Sequence, residues 1–168
     1  MDKNLRDAKL NEIHFRSTFI VDIVAFILMP NHYHFLLKQL KQNGIISFMS
    51  NSINSITRFY NVKNERKGPV FLPQFRFKRI LSIEQLVYTS KYIHTNAYTA
   101  NIINTKEEII KYPYSSMSCY IAQNILQINL KPVLSYFNHN TNKYIDFIQK
   151  NTQNNTEREI NSHINQWS

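Results

Sequence analysis

The spacing of apolar and polar residues in the first third of the chain predicts two strands and a long helix. An apolar, β-branched run over residues 18–29 is typical of a buried strand, and the turn at Met29-Pro30-Asn31 ends it because proline lacks a ladder donor. A second strand is expected over residues 32–39, antiparallel to the first across this turn. Over residues 44–61 the apolar side chains recur at helical spacing, which predicts an amphipathic helix.

The next part of the chain predicts a third strand followed by a second long helix. Residues 63–73 contain proline and glycine and are expected to form a loop, and alternation over residues 74–81 indicates a strand. Ser82 and Gln85 match the capping-box pattern, in which each side chain satisfies a free amide of the other. A helix is therefore expected to begin at Ile83 and to run to about Thr99.

Shorter helical segments are predicted over residues 3–17 and 112–123 and within residues 133–150. Residues 151–168 are polar and are expected to form a frayed tail. We therefore expect one domain over residues 1–150 and an α+β fold.

Composition narrows the chemistry more than the pattern of elements does. The 168 residues include two glycines, where average usage would give about a dozen. A P-loop or dinucleotide fingerprint needs several closely spaced glycines, so both are excluded. The single cysteine, Cys119, allows no internal disulfide. We expect a cytoplasmic protein without a membrane partner, because no apolar run approaches the ~18 residues of a membrane span.

Positive charge is concentrated in the middle of the chain. The formal net charge is +9, and the segment between Ile23 and Ile83 supplies nine cations against one acid, Glu65. Aromatic residues alternate with these cations, a mixture that suits backbone neutralisation and base stacking on single-stranded nucleic acid. The residues expected to contact nucleic acid are Arg58, Lys63, Arg66, Lys67, Arg76, Lys78 and Arg79.

Two histidines separated by one residue form the first candidate for chemistry. On a strand, alternation brings His32 and His34 to one face, about 7 Å apart at Cα, where two imidazoles could chelate one divalent ion. The alternative is a pair of polar residues on a half-exposed strand, and the triplet alone favours neither interpretation.

Tyr92 is the second candidate, because the helical wheel does not assign it to the core. At 100° per residue it lies almost opposite Ile83, while Asn96, one turn later, lies on its side. Packing explains Tyr88, Tyr112 and Tyr120 better than it explains Tyr92. A phenol beside a metal ion can act as a covalent nucleophile on a phosphodiester.

These residues occur in blocks that resemble a known family. Met29-Pro30-Asn31-His32-Tyr33-His34-Phe35-Leu36-Leu37 resembles the histidine signature of the single-tyrosine transposases of the HUH endonuclease superfamily. The order of the later blocks is similar to the REP-associated branch of IS200-like transposases. These blocks are Gly68-Pro69-Val70-Phe71, Gln74-Phe75-Arg76-Phe77-Lys78, Tyr92-Ile93-His94-Thr95-Asn96 and Tyr112-Pro113-Tyr114-Ser115-Ser116.

The resemblance implies a ferredoxin-like antiparallel sheet with helices on one or both faces. The family's N-terminal strand is expected to be missing or shortened here. It further implies that His32, His34 and Asn96 bind a divalent metal, Mg²⁺ or Mn²⁺, and that Tyr92 attacks single-stranded, hairpin-forming DNA. The product would be a 5′-phosphotyrosine link. Where the family has proline after the asparagine this chain has Ala97, so its helix is expected to continue.

Three functions remain open at this point. The first is metal-dependent DNA cleavage and joining through Tyr92, by a monomer or a homodimer. The second is a degenerate or domesticated protein that binds hairpin DNA without turnover. The third is an unrelated metal-dependent phosphodiesterase that uses water as its nucleophile.

Overall fold

A computed structural model describes residues 19–72, 75–122 and 128–150, and its fold is α+β, as predicted. Strand β1 (Val21–Leu28) and strand β2 (Tyr33–Gln39) form an antiparallel pair. The Met29 amide donates to the His32 carbonyl over 2.9 Å, which closes the hairpin at the turn that the proline indicated. Phe26 and Phe35 lie across the pair, with ring centroids 6.1 Å apart.

The second edge of β1 pairs with a short extended segment. Ile27 and Ser115 form an isolated antiparallel bridge, and the Leu28 amide donates to the Tyr114 carbonyl over 2.8 Å. The Ser116 amide also donates to the Phe26 carbonyl over 3.0 Å. β1 therefore has hydrogen-bonded neighbours on both sides, which suits its nearly continuous apolar sequence.

Helix α1 (Gly44–Lys63) extends two residues beyond its predicted end. It begins at a glycine because the chain passes very close there. A Cβ atom at position 44 would overlap the Ile20 carbonyl oxygen, which accepts hydrogen bonds from the Leu40 and Lys41 amides. Of its twenty residues, only Gly44 and Met49 are buried.

Helix α2 (Ile83–Thr99) has the predicted bounds and continues through Ala97. The Ser82 hydroxyl accepts the Gln85 amide over 3.1 Å, as the capping box requires. The Gln85 side chain, however, accepts the Leu81 amide over 2.7 Å, so the reciprocal bond falls one residue earlier than predicted. Polar as well as apolar residues of this helix are buried between positions 90 and 97.

The remaining helices are short, and most pack against α2. They are α3 (Lys106–Ile109), α4 (Met117–Ala122), α5 (Lys131–Leu134), a 3₁₀ turn (Ser135–Phe137) and α6 (Thr141–Gln149). Helices α3, α5 and α6 contact α2. The helical segment predicted within residues 133–150 is thus divided, and α3 was not predicted.

Two predicted elements are wrong in the described part of the chain. Residues 75–81 are not a strand, because they form no β-ladder, and Phe77 is 81% exposed. The helix predicted from residue 112 begins at Met117, because residues 114–116 bond to β1 instead. The predicted helix over residues 3–17, the N-terminal strand and the polar tail lie outside the described residues.

The chain forms two compact units. The first comprises Met1–Asp22 and Lys38–Arg79, and the second comprises Ile23–Leu37 and Ile80–Ser168. The hydrophobic core lies in the second unit, where β1, Leu36 and the helices from α2 onward contribute its buried side chains. The prediction of one domain over residues 1–150 stays a prediction. No helix within the described ranges is long and apolar enough to cross a membrane.

Candidate active site

The turn between the strands presents His32 with a defined tautomer. His32 is exposed, and its Nδ1 lies 2.6 Å from the Asn31 side-chain oxygen. A carboxamide oxygen can only accept, so the Nδ1–H group donates to it. In a neutral ring the Nε2 atom then carries the lone pair. A partner on one ring nitrogen that orients the other is typical of metal-binding histidines.

His34 is the residue at which the hairpin meets helix α2. Its ring lies 5.1 Å from the His32 ring and 5.2 Å from the Tyr92 ring, centroid to centroid, and nearly perpendicular to both. The Asn96 side-chain nitrogen Nδ2 lies 3.4 Å from His34 Nε2, so the amide N–H faces the imidazole lone pair. The structure therefore brings together the four residues predicted for metal binding and nucleophilic attack.

Burial keeps His34 uncharged near neutral pH. Desolvation lowers the pKa of its imidazole, and the neighbouring His32 lowers it further because two positive rings would repel each other. A neutral imidazole is the form that binds metal. The Asn96 amide, 6% exposed, would present its oxygen, which a hard cation prefers, after a half-turn that exchanges Nδ2 and Oδ1.

These three side chains fit a divalent ion by their donor atoms. Two imidazole nitrogens and one amide oxygen suit Mn²⁺ better than Mg²⁺, which favours an oxygen-rich site. Nowhere in the described ranges do three or more His, Cys, Asp or Glu side chains group as a metal site. A metal site formed by His32 and His34 would therefore need the Asn96 amide as its third ligand.

Tyr92 differs from the tyrosines that were assigned to packing. Tyr120 is fully buried and its hydroxyl donates to the Val24 carbonyl over 2.9 Å. Tyr88 stacks edge-on against Phe147, and the Tyr112 hydroxyl donates to the Leu28 carbonyl over 3.1 Å. Tyr92 is partly buried and also packs against the core, which the helical wheel did not indicate, but its ring faces His34.

All the residues predicted to contact nucleic acid belong to the first unit, and all are exposed. Three of them, Arg58, Arg66 and Lys67, line a depression of about 580 Å³ beside the last turns of α1. Arg66 is held in place. Its guanidinium donates to the Asn61 side chain and the Pro69 carbonyl, each over 3.2 Å, and lies 5.7 Å from the Tyr60 ring centroid.

Sequence reasoning missed two polar partners close to the site. Asn31 orients His32, although it was assigned only to the turn. His94, 1% exposed, was quoted in the family block but given no role. Its spacing of four residues from Ser90 is a signal that it faces the core, and the structure buries it between Tyr120 and Tyr144.

The comparisons with known proteins identify no relative. This chain matches no protein-family model, no curated protein and no solved structure. Its function therefore rests on the residues of the site and on their arrangement.

Proposed function

We propose that this protein is a cytoplasmic, metal-dependent transposase or endonuclease that cleaves and rejoins single-stranded, hairpin-forming DNA through Tyr92. One observation carries the proposal. His34, near the start of β2, meets both Tyr92 and Asn96 of helix α2, with the rings 5.2 Å apart and the amide 3.4 Å from Nε2. A tyrosine beside two imidazoles and an amide is a suitable arrangement for metal-assisted attack on phosphorus.

The proposed reaction is a transesterification at Tyr92. The phenolic oxygen forms a bond to phosphorus while the bond from phosphorus to the 3′ oxygen breaks. Water accepts the phenolic proton, and the leaving 3′ oxygen takes a proton from water. The products are a 5′-phosphotyrosine link and a free 3′-hydroxyl, and attack by a 3′-hydroxyl on that link rejoins the strand.

The side chains around Tyr92 have distinct proposed roles. His32, His34 and Asn96 would hold the divalent ion, which supplies Lewis-acid polarisation of the phosphoryl oxygens when bound. Asn31 keeps the His32 lone pair directed outward by accepting the Nδ1 proton. His34, neutral because burial lowers its pKa, needs to lose no proton before binding metal.

The proposed DNA contacts belong to the first unit. Its cations neutralise backbone phosphates, and its exposed aromatic residues offer faces on which bases can stack. Phe59 is 68% exposed and follows Arg58 directly, so both contacts are available within one turn of α1.

A denaturing gel tests the proposed reaction. A labelled hairpin oligonucleotide with a single-stranded flank is incubated with the protein and Mn²⁺, and covalent adduct is measured as label that migrates with the protein. We expect adduct with the natural protein and none with Tyr92→Phe. Tyr88→Phe, on the same helix but packed on Phe147, is the matched control and should form adduct normally.

The other functions predict different gels. Hairpin binding with no adduct from the natural protein would support the non-catalytic DNA-binding protein. Cleavage that survives in Tyr92→Phe would exclude the tyrosine as nucleophile and support a hydrolytic phosphodiesterase.

A further inference from the structure

His94 is the centre of a buried chain of hydrogen bonds in the second unit. Its Nε2 lies 2.7 Å from the Ser116 hydroxyl, and its Nδ1 lies 2.7 Å from the Tyr144 hydroxyl. Ser116 also accepts the Phe26 amide over 2.9 Å, and the Tyr144 hydroxyl lies 2.9 Å from the Ser90 hydroxyl. All four side-chain members, Ser90, His94, Ser116 and Tyr144, are buried.

The positions of the protons in this chain of hydrogen bonds follow from the end at Ser90. Ser90 donates to the Val87 carbonyl over 2.7 Å, so its oxygen accepts from Tyr144. Tyr144 has no second proton and must accept from His94 Nδ1. In a neutral imidazole His94 Nε2 then accepts from the Ser116 hydroxyl over 2.7 Å, and the Phe26 carbonyl is a second, longer acceptor for the same proton, at 3.2 Å. From Ser116 through His94 and Tyr144 to Ser90, a neutral imidazole gives each donor an acceptor.

The chain joins three elements at the position where α2 carries the candidate site. Ser116 connects His94 to strand β1, and Tyr144 connects it to helix α6. Tyr92 and Asn96 lie two residues on either side of His94, which is about 200° around the helix from each. His94 therefore lies on the inward side of α2, where it bonds to Ser116 and Tyr144. Tyr92 and Asn96 extend from the other side toward His34.

We propose that His94 is a positioning residue for the Tyr92 site. Through Ser116 and Tyr144 it holds helix α2 at the depth and rotation at which Tyr92 and Asn96 reach His34. This inference rests on the proposed function for its catalytic consequence only, since the placement of Tyr92 against His34 is a property of the fold.

Two buried tyrosines make a matched test. Tyr144→Phe removes one buried hydroxyl and interrupts the chain at His94. Tyr120→Phe also removes one buried hydroxyl, which donates to Val24 on the same strand but lies outside the chain. Both changes remove one oxygen from a core tyrosine, so a purely structural effect should be similar in the two variants.

The first measurement needs neither metal nor activity. The ring protons of His34 are recorded by NMR at one neutral pH, with assignments from His34→Gln, because the edge-on Tyr92 ring shifts their resonances. We expect Tyr144→Phe to move these resonances and Tyr120→Phe to leave them in place, with similar losses of melting temperature. Unmoved His34 resonances in Tyr144→Phe, or equal shifts in both variants, would overturn the proposal.

The second measurement is the rate of adduct formation at saturating hairpin DNA. We expect a loss of at least about tenfold in Tyr144→Phe with little change in hairpin affinity, because misplacement of a reacting group affects the chemical step. A normal rate in Tyr144→Phe would contradict the positioning role. If the natural protein forms no adduct while the His34 resonances behave as expected, the proposed function fails and the positioning role stands.

Ser90→Ala provides a milder interruption if Tyr144→Phe does not fold. It removes the hydroxyl that accepts the Tyr144 proton and leaves the aromatic rings around His94 in place. We expect the same shift of the His34 resonances in Ser90→Ala. A folded Ser90→Ala protein with unshifted His34 resonances would again overturn the proposal.

Discussion

The two compact units of this protein place their polar groups in opposite environments. In the first, the cations predicted to contact DNA are exposed, and so are large apolar side chains such as Phe59, Val62 and Phe77. In the second, the buried polar side chains have fixed partners. His94 is bonded to Ser116, and Asn96 contacts His34. A polar group that loses water must find a fixed partner, so its position becomes defined, whereas an exposed one remains free to adapt.

This difference separates two tasks that the proposed function needs. Attack on phosphorus requires the reacting groups to be held within a fraction of an ångström, and the buried bonds of the second unit can do that. Holding a hairpin requires positive charge and stacking faces, which the first unit offers at its surface. Substitutions in the two units are therefore expected to affect different measurements.

The largest expected effect is the loss of stability of the second unit in acid. Burial lowers the pKa of His94 to about 3, against 6.5 for an exposed histidine. Between pH 6.5 and pH 3 the unfolded chain therefore binds a proton at His94 that the folded protein does not. The contribution of His94 to the free energy of unfolding is full above pH 6.5 and decreases as the pH falls toward 3. The free energy of unfolding then falls by up to about 1.4 kcal/mol per pH unit, and by about 5 kcal/mol over the whole range.

Urea titrations between pH 7 and pH 5, above the range in which carboxylates protonate, measure this slope. Tyr120→Phe is the matched control, because it removes a buried hydroxyl from the same core and keeps every histidine. It should leave the slope intact. The described part of the first unit contains no histidine, so a slope shared equally by both units would weaken the comparison.

Gly44→Ala should produce the next largest effect, in the first unit. The added methyl group would meet the Ile20 carbonyl, which is backbone and cannot turn aside as a side chain does. We expect a loss of about 1–3 kcal/mol, typical of overpacking. Hydrogen exchange should be faster at the Leu40 and Lys41 amides, which donate to that carbonyl over 3.0 and 3.3 Å.

The control for this change is Asn51→Ala, an exposed position on the same helix, which should leave those amides unchanged. The amides of α2 should keep their natural exchange rates in Gly44→Ala. If they accelerate as much as Leu40 and Lys41, the two units unfold together, and the contrast between them does not extend to stability.

The smallest expected effect is that of one surface cation on DNA binding. Arg76→Ala should weaken hairpin binding and lower the slope of log K against log salt by about one, because one phosphate contact is lost. Fluorescence anisotropy over a salt series measures it. Lys143→Ala, exposed on α6 of the second unit, should leave the slope unchanged. Equal effects of the two changes would show that binding is not concentrated in the first unit.

How much of this could be predicted depended on the range of the interactions involved. The start of helix α2 was predicted to the residue because Ser82 sets it, and its approximate end was also correct because its periodicity is local. The strand predicted over residues 74–81 failed because a strand also needs a neighbour, which alternation does not reveal. Helix α4 begins later than predicted because Tyr114 and Ser116 bond to a strand about 90 residues earlier.

The sequence by itself determined the α+β class, the hairpin turn, the basic segment and the identity of His32, His34, Tyr92 and Asn96 as candidates. Only the tertiary structure decided that Tyr92 and Asn96 meet His34, and that His94 faces away from them into a bonded chain. The physical reason is that side-chain periodicity and turn preference act within a few residues. The partner of a helix face depends on how segments far apart in the chain share one core.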